Sequence, residues 1–340
     1  MRHFPLNLKG GSEFGAKHAV FNENAMNPRM QPAPTGDPPR PARRGRGRIR
    51  FSGLLFFLLL AQVRLAAADW NPLVERLTAD GFDRQVLETL FTRPEARFEP
   101  DAMAGKLKSL IQSRFPVPDS LAVRMKDAVY RTYLTTWWVA RARSYARDNM
   151  AVLKEIDARY GVPKEIVVSI LLVETHLGEN TGSQLVFNRL ASMALYTDLE
   201  AIRPYLSSSL IQPDNWEYAR RRCREKANWA YSELKALLRL ADRYSLDPMT
   251  IRGSIYGAIG LCQFMPSNVF FYGVDADQDG RIDLFAKPDA LYSIANYLRQ
   301  HGWRKDMDRK SQHSIILTYN HSTVYANTVL AVADKLRNRK

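Results

Sequence analysis

Cysteine is scarce in this chain: Cys223 and Cys262 stand alone among 340 residues, far apart and in no CxxC pair. That excludes the usual thiolate zinc and dithiol redox motifs. Export would permit a disulfide, but nothing in the sequence brings the two sulfurs together, and both are read as packed thiols. The six histidines show no metal-ligand spacing. The apolar run Phe51 to Val63 is short for a bilayer-spanning helix. Alternating basic and aromatic residues, the mark of a nucleic-acid surface, are also missing, so no nucleic-acid partner is expected despite a formal charge of +14.

That charge is unevenly placed. Residues 1–68 hold 11 Lys+Arg and 3 Asp+Glu, a balance of +8, which leaves 14 − 8 = +6 for the remainder. A charge of that sign suits an acidic polymer or an anionic envelope, and equally plain solubility. Residues 1–40 lack an apolar period and are crowded with proline near their end. A basic run (Arg40, Arg43, Arg44, Arg46, Arg48, Arg50), the apolar run, and Ala66-Ala67-Ala68 follow. Together they read as a secretory signal over about 40–68. No cysteine stands directly after the apolar run, so a lipoprotein is not expected, nor a stable membrane anchor once the signal is cut. Periplasmic export of a monomer is the reading, with an uncleaved anchor as the alternative.

From Asp69 onward the pattern is helical. Asn71-Pro72 opens one amphipathic segment and Asp83 another. Leu121, Met125, Val129, Tyr133 and Trp137 recur at helical spacing, which predicts one long helix over 119–149. Trp137-Trp138 suits either core packing or a sugar-binding cleft. Residues 69–150 are taken as an N-terminal helical domain. Residues 151–340 are taken as the core, with a charged helical insertion at about 198–250.

Ile166 to Gly178, IVVSILLVETHLG, is the most apolar stretch of that core. Pro163 suits a helix start and Gly178 a stop. Near its end sits one carboxylate, Glu174. Burial and the negative end of a helix dipole both favour the protonated form. A carboxyl held protonated near neutral pH is what a general acid requires; a solvent-facing carboxylate is the plainer alternative. His176, two residues on, either tunes Glu174 or lies on the surface.

Residues 253–274, GSIYGAIGLCQFMPSNVFFYGV, mix glycines with neutral donors and acceptors (Ser254, Gln263, Ser267, Asn268) among aromatics. Such groups suit carbohydrate recognition or any polar turn. DADQDGRID, from Asp275 to Asp283, is the first half of an EF-hand calcium loop. The usual closing position holds Ala286, and Asp289 is the next acid able to complete a Ca2+ site. A solvated acidic turn is the alternative.

These segments, in this order, resemble the lytic murein transglycosylases of the membrane-bound type B family. VETHLG, GSIYGAIGLCQFMPS, the Asp275–Asp289 loop, ANYLRQHGW and TYNHSTVYA carry the likeness. The resemblance implies a mainly α fold: a lysozyme-like catalytic core with an additional N-terminal helical domain and an EF-hand-like loop, acting on peptidoglycan glycan strands. It implies Glu174 as the sole acid/base, with Ser254 and Gln263 against the muramoyl residue. Tyr297, Tyr319, Asn320 and Tyr325 would line the cleft. Asp275, Asp277, Asp279, the carbonyl of Arg281, and Asp289 would hold a structural Ca2+, with no cofactor needed for the chemistry. Family members carry a sizeable segment between the HGW helix and the YN segment; here only a short link joins Trp303 to Tyr319, so a small β-rich domain is expected to be missing. Open alternatives are a hydrolytic muramidase, for which Glu179 is the nearest second carboxylate, a non-catalytic peptidoglycan-binding envelope protein, and a calcium-dependent binding module.

Overall fold

A computed structural model describes residues 69–115 and 128–338. The leader, the signal segment, and the Leu121 and Met125 positions of the predicted long helix lie outside the described residues. No helix among the described residues is long and apolar enough to cross a membrane.

The described residues are mainly helical. The centre is α6 (Lys164–Thr175), every residue of which from Ile166 to Val173 is buried. Pro163 precedes it in an extended conformation that cannot continue the previous helix, α5 (Met150–Tyr160). Gly161, left-handed at φ 66°, closes α5. Around α6 pack α13 (Thr323–Arg337), α4 (Thr136–Asp148), α5 and α11 (Lys287–Gln300). A helix buried all round cannot be placed by amphipathicity, and α6 is one.

A second layer is built on the long α9 (Trp216–Arg243), which packs along α7 (Val186–Leu195). The N-terminal helices α1 (Asn71–Ala79), α2 (Arg84–Phe91) and α3 (Asp101–Arg114) join this side: α1 and α3 contact α7, and α3 also lies on α9. The short α8 (Leu199–Ile202) closes the turn between α7 and α9. Asp83 caps α2, its side chain accepting from Val86 N. Arg189 on α7, almost wholly buried, reaches Glu99 (3.1 Å), Asp101 (2.8 Å) and the carbonyl of Ile255 (2.8 Å). One guanidinium thereby ties the N-terminal helices to the glycine-rich segment. The run Arg220-Arg221-Arg222 faces outward on α9 and pairs with Glu217 and Glu225, as a solvated helix face does.

The predicted helix over 119–149 is not continuous. Residues 128–130 are irregular, Arg131–Leu134 form one 3-10 turn, and α4 begins only at Thr136. Thr135 adopts an extended conformation and caps α4 with its hydroxyl, so the chain must turn there. The link between Trp303 and Tyr319 is itself largely helical, forming α12 (Arg309–Tyr319). Among the described residues the only sheet is a pair of two-residue strands, β1 (Gln184–Leu185) and β2 (Arg252–Gly253). They are antiparallel, with Gln184 opposite Gly253. Isolated bridges Gly253–Ile259 and Ile259–Phe264 fold the glycine-rich segment back on itself. At Gly182 (φ 92°) a Cβ would lie 2.1 Å from the Gly253 carbonyl, so only glycine lets the two loops meet. Cys223 and Cys262 are both buried and free.

Candidate functional site

The end of α6 decides where the candidate acid sits. The helix stops at Thr175, earlier than Gly178 would suggest, because His176 and Leu177 take left-handed conformations (φ 53° and 64°). Leu177 N returns to the carbonyl of Leu171. Thr175 donates its hydroxyl to the carbonyl of Leu261, pinning the helix end to the glycine-rich segment. Gly178 (φ 97°) is needed for close approach: a Cβ there would meet Leu261 Cδ2 at 2.5 Å.

Glu174 therefore lies in the last turn of α6, facing the segment 258–264 and the start of α13. As a residue it is half-buried, but its Oε1 is sealed from solvent and has no hydrogen-bond partner. Burial pushes its carboxyl up to about 8; the nearby Tyr325 hydroxyl opposes this more weakly. Tyr325 OH is close enough to bias the carboxylate yet is itself buried without a partner in good geometry. An acid so placed is protonated at neutral pH and has a proton to give.

The other expected residues divide into two groups. Tyr325 and Asn320 keep buried polar atoms unpartnered, Tyr325 OH and Asn320 Oδ1. Tyr297 and Tyr319 instead give their hydroxyls to backbone, at Thr318 O and Cys262 O (both 2.6 Å). They pack edge to face against each other and at a tilt against Phe264, building the wall behind the acid. Ser254 is half-buried; its hydroxyl accepts from Ala258 N (3.0 Å) and holds the turn. Gln263 is buried at φ 51°, with its amide nitrogen donating to Thr181 O and Gly260 O (3.0 Å each). That amide bridges the loop after α6 to the glycine-rich turn.

Sequence reasoning missed several neighbours of Glu174. Tyr130 and Tyr133, from the 3-10 turn region, lie near enough for the acid's charge to raise their phenols further, beyond the larger effect of burial. Cys262 sits on the same side, its thiol pushed up chiefly by burial. His176 is half-buried rather than a free surface group, and its Nε2 meets Tyr133 OH at 3.1 Å. Tyr133 appeared only as one apolar step of a helix, and nothing in its spacing marked it. Glu179 is exposed and paired with Arg141.

The acidic loop brings Asp275, Asp277 and Asp289 together, with one carboxylate oxygen of each within 4.8 Å of the others. Asp289 is buried and accepts from Ala276 N (2.9 Å) and Asp283 N (2.7 Å). Burial raises its carboxyl, and the charges of Asp277 and Asp275 add to this. Asp275 Oδ1 is buried with no partner. An orphaned buried oxygen between two further carboxylates fits a hard cation such as Ca2+. Asp279 is not in that trio; its Oδ1 accepts from Arg281 N at 2.8 Å. The loop's end reaches the site: Leu284 O accepts from Leu261 N at 2.8 Å.

Solved lytic transglycosylase structures share this fold. SltB1 from Pseudomonas aeruginosa superposes with a TM-score of 0.58 at 24% identity, over 78% of this chain and 97% of that one. Slt35 from Escherichia coli, solved in complex with calcium, gives 0.59 at 22% identity, over 80% and 93%. These likenesses place the fold in the lysozyme-like class. Residues 66–312 match the family model of the transglycosylase SLT domain, and the chain belongs to that family. The membrane-bound lytic murein transglycosylase B of Escherichia coli (strain K12) is 36% identical over 146 residues, 43% of this chain. That match spans 33% of the relative's length.

Proposed function

We propose that this protein is a peptidoglycan lytic transglycosylase, cleaving the β-1,4 bond between N-acetylmuramic acid and N-acetylglucosamine without water. The observation that carries this is Glu174: a carboxyl at the end of α6 with one oxygen sealed and unpartnered, raised to about 8, in a chain of the SLT family. Glycosidases that use water need a second carboxylate for it. Glu179, the nearest in sequence, is engaged by Arg141.

In the proposed reaction Glu174 gives its proton to the glycosidic oxygen as the bond to the muramoyl C1 breaks. Positive charge develops at C1 and the ring oxygen. The ionised Glu174 then takes the proton from the muramoyl C6 hydroxyl as that oxygen bonds to C1, closing a 1,6-anhydro ring. The acid ends as it began and no water is consumed. Ser254 and Gln263 are assigned to the muramoyl side, held rigid by the turn they stabilise. Tyr325 offers an unpartnered hydroxyl beside the acid, Asn320 keeps an unpartnered buried oxygen, and Tyr297 and Tyr319 stiffen the wall. Asp275, Asp277 and Asp289, with Asp279 and the Arg281 carbonyl completing the loop, would hold Ca2+. Bound there, the ion neutralises the clustered acids and secures a loop whose Leu284 grips the glycine-rich segment. Residues 1–68 are assigned to export, with residues 69–150 as a helical N-terminal domain and the catalytic core from 151 to 340. The protein is taken to act in the periplasm as a monomer.

The test is mass spectrometry of the soluble products from peptidoglycan sacculi, run beside Glu174→Gln. Anhydro-muropeptides from the parent and none from the variant are expected. Reducing-end muropeptides, heavier by one water, would establish hydrolysis instead. Binding to sacculi with no release from either protein would leave a non-catalytic envelope protein.

A further inference from the structure

We propose that Trp137, supported by Trp138, His176 and Arg141, forms an additional sugar subsite that extends the Glu174 cleft along α4. Its ligand would be an uncharged pyranose ring of a β-1,4-linked N-acetylated glycan, beyond the two sugars flanking the broken bond. This subsite rests on the glycan reading above.

Trp137 is 57% exposed, although α4 buries only Val139, Ala142 and Ala146. A lone exposed indole would mean little, but this one ends a continuous aromatic path. Tyr133, beside Glu174, meets the His176 ring at 5.7 Å between centroids. His176 lies against Trp138 at 4.9 Å with planes 33° apart, and Trp138 meets Trp137 at 4.3 Å edge to face. The path thus runs from the acid's own surroundings out to solvent. Its members are held in place: Tyr133 OH bonds His176 Nε2, and the Thr135 hydroxyl caps the backbone at Trp138.

The rim has the matching chemistry. The Arg141 guanidinium lies 4.6 Å from the Trp137 ring centre and pairs with Glu179. The guanidinium lies over one face of the indole, so donors and acceptors for hydroxyl and N-acetyl groups adjoin its exposed surface, the usual makeup of a polyhydroxyl site. The charges of Arg141 and Glu179 cancel, and burial lowers the pKa of His176 so that its ring stays neutral. An uncharged platform favours a sugar ring over the carboxylate-bearing stem peptides.

The experiment is calorimetric titration of the full chain, made inert as Glu174→Gln, with N-acetylglucosamine oligomers of two, four and six sugars. Affinity should rise with length. Adding Trp137→Ala should weaken the longest oligomer about five- to tenfold while leaving the disaccharide unchanged, and Trp137→Phe should restore most of the loss. Equal affinity at every length with or without Trp137, or an equal loss at every length, would overturn the subsite. So would failure of any oligomer to bind. The muropeptide masses judge the transglycosylase reading separately, so the two can fail independently.

Discussion

At Glu174, function and stability pull in opposite directions. A carboxyl with an ordinary value near 4.5, raised to about 8 by burial, binds its proton more tightly in the folded chain than in the unfolded one. Its contribution to stability is therefore complete below about 4.5 and is lost as pH rises through 8. The general-acid form is lost over the same upper range, so turnover should fall with an alkaline limb near 8. Glu174→Gln cannot supply the proton, and turnover should drop at least about a hundredfold. The same variant has no charge to bury, so at pH 9 its melting temperature should exceed the parent's. A variant that melts lower than the parent at pH 9 would show that the carboxylate is solvated there and its raised value misassigned. The place of Glu174, near the end of a buried helix, was legible in the sequence from the continuous apolar run that precedes it. Its surroundings were not. Tyr130 and Tyr133 come near it from the start of a 3-10 turn and from the turn itself, where the sequence reads as helix periodicity, and no local signal reports a neighbour so distant in the chain.

At the scale of elements, the junction of α9 with α10 (Pro266–Tyr272) carries another buried acid that periodicity could not single out. Glu233 is 2% exposed and accepts from Ser267 N (2.9 Å) and Ser267 Oγ (2.8 Å), capping α10 from a neighbouring helix. Burial raises its carboxyl to about 7, against the pull of those two hydrogen bonds. Its stabilising protonated form is therefore lost as pH rises through 7. Glu233→Gln keeps a carbonyl for Ser267 N and removes the charge, so thermal melts should coincide with the parent at pH 5 and run higher at pH 8. Glu233→Ala leaves the start of α10 unsatisfied and should cost about 1–3 kcal/mol at either pH. Parallel Gln and parent profiles would exclude Glu233 as the titrating group. The elements that read correctly are those with strong local punctuation: Asp83 before α2, and Gly161 and Pro163 between α5 and α6. The failures came where a cap broke a good periodic run, as Thr135 does, or where polar α12 had too few apolar residues to declare itself.

Across the whole molecule, the acidic loop is the remote support of the site. The path is short: Asp289 opens α11 and holds the backbone of Ala276 and Asp283, and Leu284 then grips Leu261 beside Thr175 at the end of α6. The sequence indicated the loop through its alternating aspartates, but only the fold connects it to Glu174. A cation bound by the native loop and not by the unfolded chain stabilises by mass action, about 2.7 kcal/mol at a hundredfold excess over its dissociation constant. For a chain this size, that corresponds to roughly 4–5 °C in melting temperature. Calcium should raise the parent's melting temperature over that range, and a chelator should reverse the rise. Asp277→Asn is the informative variant, because Asp277 is exposed and accepts a long 3.3 Å hydrogen bond from Asp279 N. It should melt like the calcium-free parent and respond weakly to added calcium. Turnover should follow the same order, since loosening Leu284 frees the turn that carries Gln263. A parent melting temperature indifferent to calcium would leave the loop a solvated acidic turn, with Asp289 stabilising it by hydrogen bonds alone.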